Sequence, residues 1–325
     1  MSQFDNRAWQ TAIQPQRMRV PISGESDVSK AISMALATMA ATGIAGSASA
    51  SEGGKSTYPN GAETLTVAAL PPPGTYLLDY NYYYSADRVN DGKGNSAGPP
   101  DFSLNVVANI PRFIHVTKIK ILGASLAMQA FVPIVNVNVR AGGMRQTKFG
   151  LGDVIVNPFI LGWNHRNNFL VLTMDTFVPT GRYKRTDLAN IGTNVWTFEP
   201  VLALSHFDPK GGPELSVKLM YDFNTKNKAT DYRSGQAAHV DFATSYNFNP
   251  VTIGVTGYYF KQTTDDKQDG LKVGADGNKG EALALGPLIR YQLGKVPITA
   301  QWQHEIFSDN RTQGNSFWLK AAFRF

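Results

Sequence analysis

The sequence predicts an all-β protein: a transmembrane, antiparallel, up-and-down β-barrel of about twelve strands, closed by a C-terminal strand ending at Phe325. Three observations lead there. Apolar and polar residues alternate with a period of two in many segments of strand length. The spacers between those segments are alternately short and long. The final stretch, Phe317 to Phe325, puts Phe317, Leu319, Ala321, Phe323 and Phe325 on one face and Trp318, Lys320, Ala322 and Arg324 on the other. A strand so apolar on one face invites aggregation in water. It suits a barrel with lipid outside and a wet lumen inside.

Twelve candidate strands lie near 75–84, 103–117, 121–139, 148–162, 168–178, 194–206, 213–224, 236–248, 251–262, 282–293, 296–307 and 315–325. The spacers after even-numbered strands are short: Lys118 to Lys120, Trp163 to Asn167, Phe207 to Gly212, Asn249-Pro250 and Gly294-Lys295. Those after odd-numbered strands are mostly longer and more polar, as in Ser85 to Phe102, Pro179 to Thr193, Thr225 to Gly235 and Thr263 to Glu281. Outer-membrane barrels have short periplasmic turns, long external loops and an even strand number.

Ahead of the barrel, Lys30 precedes a small-residue apolar run from Ala31 to Ala48, followed by Ala48-Ser49-Ala50. This is the layout of a secretory signal cleaved near Ala50. The stretch before Lys30 is long for a signal, and both Met1 and Met18 fit as its start. The expected organisation is an N-terminal extension and signal peptide over 1–50, an extended periplasmic or lumenal lead-in over 51–73, and the barrel over 74–325. The lead-in is polar and then Pro-rich (Pro71-Pro72-Pro73-Gly74), which suits extended chain.

Composition is compatible with this plan. The chain has 325 residues, no cysteine, 11% aromatics and a net charge of +6. No apolar run approaches the roughly 18 residues of a membrane-spanning helix. Lysines and arginines stand singly, often beside acids, rather than in the basic clusters of a nucleic-acid binder.

The cost of a charge on the lipid face, about 2–4 kcal/mol at the bilayer midplane, assigns the faces. Lys218, Asp222, His239, Asp241, Arg290, Glu305, Lys320 and Arg324 are expected to line the lumen. Leu215, Val217, Leu219, Tyr221 and Phe223 on one strand, and Val240, Phe242, Tyr246 and Phe248 on another, then face lipid, with Tyr291 and Phe325 completing aromatic belts at the interfaces. The segment 121–139 alternates poorly, and its lumen face can itself be apolar, as Phe131 suggests.

Several ordered words are distinctive: Leu151-Gly152-Asp153-Val154 with Pro158 and Leu161-Gly162-Trp163; Val178-Pro179-Thr180-Gly181-Arg182-Tyr183; Ile191-Gly192-Thr193-Asn194 with Trp196 and Pro200; Asn224-Thr225 with Asp231-Tyr232-Arg233-Ser234-Gly235; Gly257-Tyr258-Tyr259 with Gln262-Thr263-Thr264-Asp265-Asp266; and Gly286-Pro287. Over roughly 52–325 the chain resembles the outer-membrane family associated with the meta pathway of phenol degradation, which also includes sphingosine-induced outer-membrane proteins. The resemblance implies a monomeric barrel in the outer membrane of a Gram-negative bacterium, with a transporter-like role and no established substrate. On the barrel reading, Asp153, Thr225, Tyr232, Arg233, Gln262, Asp265 and Asp266 cluster near the outer mouth, as a substrate-capture rim or as loop-to-loop hydrogen bonds. Phe323 and Phe325 serve as the signal to the barrel-assembly machinery.

Catalytic and metal motifs are missing from the sequence. There is no HExxH, GxSxG or P-loop, and no two of His115, His165, His206, His239 and His304 have metal-ligand spacing within one strand. Asp265, Asp266 and Asp269 could ligate calcium, but read more simply as a solvated acidic loop. The expected function is non-enzymatic, without cofactor or metal: uptake of small hydrophobic or aromatic molecules, with membrane lipid and the assembly machinery as partners. The alternatives are a structural or adhesive barrel acting through its loops, and a lipid-modifying barrel enzyme. Twelve strands lie between barrels filled by side chains and open 16–18-stranded porins, so a narrow or plugged path is expected.

Overall fold

The computed structural model describes Glu52 and residues 56–325. The signal run and the cleavage point near Ala50 lie outside the described residues. Seventeen strands follow: β1 (Gly74–Val89), β2 (Ser103–Ile121), β3 (Ala124–Phe131), β4 (Ile134–Ala141), β5 (Met144–Leu151), β6 (Val154–His165), β7 (Asn168–Val178), β8 (Thr197–Phe207), β9 (Gly212–Asn224), β10 (Tyr232–Arg233), β11 (Ala237–Asn247), β12 (Val251–Gln262), β13 (Lys267–Gln268), β14 (Leu271–Lys272), β15 (Glu281–Leu293), β16 (Val296–Asp309) and β17 (Thr312–Arg324).

Twelve of them form a closed antiparallel ring in the order β1, β2, β3, β6, β7, β8, β9, β11, β12, β15, β16, β17 and back to β1. The closing seam runs from Tyr76 opposite Arg324 to Val89 opposite Thr312. Every ring strand is therefore paired on both sides, while the β4–β5 hairpin adds to β2 and leaves the outer edge of β5 unpaired. β10, β13 and β14 make a small separate sheet within the loops.

The alternation of the sequence becomes an inverted protein. Leu215, Leu219 and Phe223 of β9, Tyr246 of β11, Ile289 and Tyr291 of β15, Trp302 and Ile306 of β16, and Phe317 and Leu319 of β17 are exposed. Their strand neighbours Ser216, Lys218, Asp222, His239, Asp241, Gln303, Glu305 and Trp318 are buried. An apolar exterior around a polar interior is what a bilayer selects. His304, which breaks the alternation, sits on the outer face, where Nδ1 lies 3.0 Å from Asn315 Oδ1.

Two expectations need correcting. The segment 121–139 is not one strand: β2 runs on to Ile121, and β3 and β4 are separated at Val132-Pro133. Beside it, the expected strand 148–162 is broken in the same way, β5 and β6 being separated at Gly152-Asp153. β3 pairs with β2 and β6, whereas β4 pairs with β2 and β5, so the two breaks lie side by side. The second correction concerns 140–147, expected as a loop. It is the tip of the β4–β5 hairpin, turning at Gly142 and Gly143 with φ of +59° and +78°. Two successive positive φ values give the turn whose twist matches the strands, and glycine adopts them without strain. Pro133 supplies no N–H at the break.

Candidate functional site

The lead-in ahead of β1 is bonded to interior side chains along its length. Near the long loops, Glu52 accepts from Tyr183 Oη (2.9 Å) and Asn227 Nδ2 (2.6 Å). Further down, Asp241 accepts from Tyr58 Oη (2.8 Å), Gly61 N (2.7 Å) and Glu63 N (3.2 Å). Gln301 donates to Gly61 O (2.6 Å) and accepts from Thr64 Oγ1 (2.8 Å), and Lys320 Nζ donates to Ala62 O (2.7 Å). Near the short turns, Thr66 N donates to Glu214, Ala68 N donates to Ser205 Oγ (3.2 Å), and Leu70 lies against Gly162. The segment thus descends the lumen from the loop end to the turn end before β1 climbs back. An extended chain exposes unpaired peptide groups, and the polar lumen residues supply their partners.

Glu63 is the hub of this contact. Its carboxylate pairs with Arg112 of β2 and lies 2.8 Å from Lys218 Nζ of β9. Arg112 also donates to Tyr80 Oη (2.8 Å) and to Gln129 Oε1 (2.8 Å), and its guanidinium stacks over the Phe131 ring at 4.8 Å. Lys218 lies 4.6 Å from the Tyr58 ring centre. Charges removed from water need such dense pairing to persist.

A cavity lies on either side of this hub. The outer one, about 250 Å³, is lined by Tyr82, Tyr84, Ile110, Phe131, Phe177 and Trp318, among other largely apolar and aromatic groups. The inner one, about 580 Å³, is bounded by Thr66, Leu70, Tyr76, Leu78, Ile114 and Arg290. Ala62, Glu63 and Tyr80 border both cavities. Val135 and Val137 of β4 also face the outer cavity, which explains the poor alternation of that segment: its inward face is apolar too.

The other expected lumen residues are placed as follows. Lys218, Asp222, His239, Asp241 and Glu305 are buried inside. Lys320 is partly buried, and Arg290 is half-buried with its guanidinium on Thr299 and Thr66. Arg324 is exposed at the strand end, near the Tyr76 ring. Glu305 accepts from Tyr84 Oη, Tyr258 Oη and Gly314 N. Phe323 and Phe325 are exposed on the outer face.

The loop residues do not form one rim. Asp153 accepts from Gly181 N (2.8 Å), Thr193 N (2.7 Å) and Thr193 Oγ1 (2.7 Å). There Gly181 and Gly192 approach so closely that a Cβ on Gly192 would stand 2.4 Å from Gly181 O; only glycine fits at either position. A second cluster gathers Tyr232, Gln262 and Gly235 N around Asp266, and burial pushes the Asp266 carboxyl above its usual range. Thr225 Oγ1 holds Trp196 N and O. Arg233 is exposed, and Asp265 pairs with Lys279 at 3.3 Å. These bonds hold loop to loop.

Sequence reasoning passed over Glu63 and Arg112. Arg112 was visible as a charge in the apolar run Ile110 to Ile114; Glu63 had no local signal. It also passed over Glu199, which the fold brings to Asp222 and His239 from a different strand.

Fold and site together define an outer-membrane β-barrel whose lumen is occupied by its own N-terminal segment and divided into two chambers. The chain belongs to the family described as "Putative MetA-pathway of phenol degradation", whose model matches residues 86–321. Comparison with curated proteins finds no match. Among solved structures, an outer-membrane channel from Pseudomonas putida F1 is similar over 83% of this chain and 100% of its own, with 18% identity and a TM-score of 0.70. The translocator domain of the autotransporter NalP from Neisseria meningitidis (9% identity, 79% and 91% covered, TM-score 0.46) and a FadL homologue from Pseudomonas aeruginosa (10%, 82% and 93%, TM-score 0.40) are more distant barrels.

Proposed function

We propose that this protein is a non-enzymatic channel that admits small apolar or aromatic molecules across the outer membrane. One observation carries the reading: an aromatic-lined outer chamber and a larger inner chamber share Ala62, Glu63 and Tyr80 as their dividing wall. Small-molecule sites are concave, mostly apolar and marked by a few placed polar groups, which describes the outer chamber. A phenol-sized molecule enters it between Tyr82, Phe131 and Trp318. Release of Glu63 from Arg112 then joins the chambers, and the solute leaves at the turn end. The family's association with phenol degradation agrees with this solute class, and the similar Pseudomonas putida protein is itself a channel.

The twelve-strand ring closes on itself without a second copy, which supports a monomer. Membrane lipid surrounds the apolar exterior, and insertion is assigned to the barrel-assembly machinery through the terminal strand. The test is uptake of radiolabelled phenol, an alkylphenol and sphingosine by cells with and without the protein. Faster uptake of at least one with the protein present is expected; equal uptake of all three removes the transport reading and leaves a barrel acting through its loops.

A further inference from the structure

We infer that Glu199 of β8, Asp222 of β9 and His239 of β11 form a binding site for a divalent transition-metal cation of the zinc class, set in the barrel wall behind the N-terminal segment. One ligand atom from each residue lies within 4.8 Å of the other two. His239 Nε2 is 3.2 Å from Glu199 Oε2 and 3.4 Å from Asp222 Oδ1. Zinc binds imidazole nitrogen and carboxylate oxygen at about 2.0–2.2 Å with tetrahedral geometry, which puts neighbouring ligand atoms about 3.3–3.5 Å apart. One of these separations falls within that range and the other lies just below it.

The hydrogen bonding points the same way. All three side chains are buried, Glu199 and His239 almost completely. Among the described residues neither oxygen of Glu199 receives a well-aligned hydrogen bond. Nε2 of His239 carries at most one proton, and its hydrogen bond goes to Asp222. Glu199 is thus a fully buried carboxylate aimed into the cluster whose neighbouring donor, His239 Nε2 at 3.2 Å, is shared with Asp222, a costly arrangement.

The nearby charges are engaged elsewhere. Lys218 serves Glu63 and reaches Asp175 at 3.6 Å. Asp175 accepts from Asn157, and Asp241 is saturated by Tyr58, Gly61 and Glu63. A divalent cation would neutralise Glu199 and Asp222 together, using a donor set of imidazole and carboxylate that suits zinc.

Packing and access fit as well. The His239 ring is held between Tyr58, at 5.2 Å between centroids, and Phe260, at 6.1 Å. A cavity of about 30 Å³ is bordered by Glu52, Ser234 and Gln262 and reaches Asp222. That is room for one water beside Asp222. A metal here would tie three neighbouring strands together directly beneath Tyr58, the residue that anchors the lumenal segment to Asp241. The ligands were invisible to motif reading because each comes from a different strand.

The experiment uses the folded barrel in detergent, stripped with a chelator and dialysed against zinc alone, with folding checked by heat-modifiable gel migration. Wild type is expected to retain one zinc per chain. Cobalt in its place should give the visible absorption of a tetrahedral site. His239→Ala and Glu199→Gln should weaken retention by more than about tenfold, while His206→Ala, on the outer face, leaves it unchanged. Folded wild type that retains no zinc overturns the proposal whatever the variants do. So does a folded His239→Ala protein that retains zinc as well as wild type.

Discussion

Replacing Glu63 with alanine removes the acid that neutralises Arg112 and Lys218, whose side chains are only 12% and 4% exposed. Arg112 is then left without its carboxylate partner, and Lys218 keeps only Asp175 at 3.6 Å. Breaking a buried ion pair by deleting one partner costs about 3–5 kcal/mol, because the orphaned charge stays desolvated. The ring itself does not depend on Glu63: its strands remain fully paired. The cost therefore falls on the state in which the N-terminal segment lies docked in the lumen. At about 1.4 kcal/mol per tenfold, the docked-to-released ratio should fall by roughly 100- to 4,000-fold. Single-channel recording in planar bilayers reads this directly: Glu63→Ala should show longer and more frequent open events than wild type, and Glu63→Gln an intermediate pattern. A folded Glu63→Ala barrel whose openings match wild type in frequency and size would refute the latch.

Further predictions concern the scaffold and its orientation. Trp318→Ala empties a fully buried site that packs on Tyr82 at 4.2 Å between ring centroids; a loss of about 3–5 kcal/mol is expected, seen as a lower unfolding temperature of the purified barrel. Asp153→Ala strands the N–H groups of Gly181 and Thr193, at about 1–3 kcal/mol for each unsatisfied donor. Trypsin should then cut at the exposed Lys184-Arg185 pair at least about tenfold faster than in wild type. Because the chain has no cysteine, single cysteines report topology: on intact cells a membrane-impermeant thiol reagent should label Lys93→Cys in a long loop and spare Lys210→Cys in a short turn.

The parts of the fold that could be read in the sequence share a physical cause. Where lipid lies on one face and polar lumen on the other, as in β9, β11 and β17, the two solvents write a period of two into the chain. Where the lumen face is apolar, as along Phe131, Val135 and Val137, that contrast vanishes, and β3 and β4 could not be separated or bounded. Tight turns at Gly142-Gly143 and Asn310-Arg311 were read as longer spacers because polar residues continue into the strands beside them. The buried charges of β9 and β11 were legible one strand at a time; their partners were not. Glu63 lies in a segment with no periodicity, and the Glu199–Asp222–His239 cluster exists only through cross-strand register. The loop words around Asp153, Gly181 and Gly192 were visible as words, but the backbone approach that requires them needed coordinates.

The central claim is that the barrel's own N-terminal segment divides its lumen. Conductance of the whole barrel against one lacking residues 51–70 tests it most directly. Without that segment the two chambers and the volume between them become one continuous passage, so a steady conductance several-fold above wild type is predicted. A folded, membrane-inserted deletion variant that conducts no better than the intact protein would contradict the account.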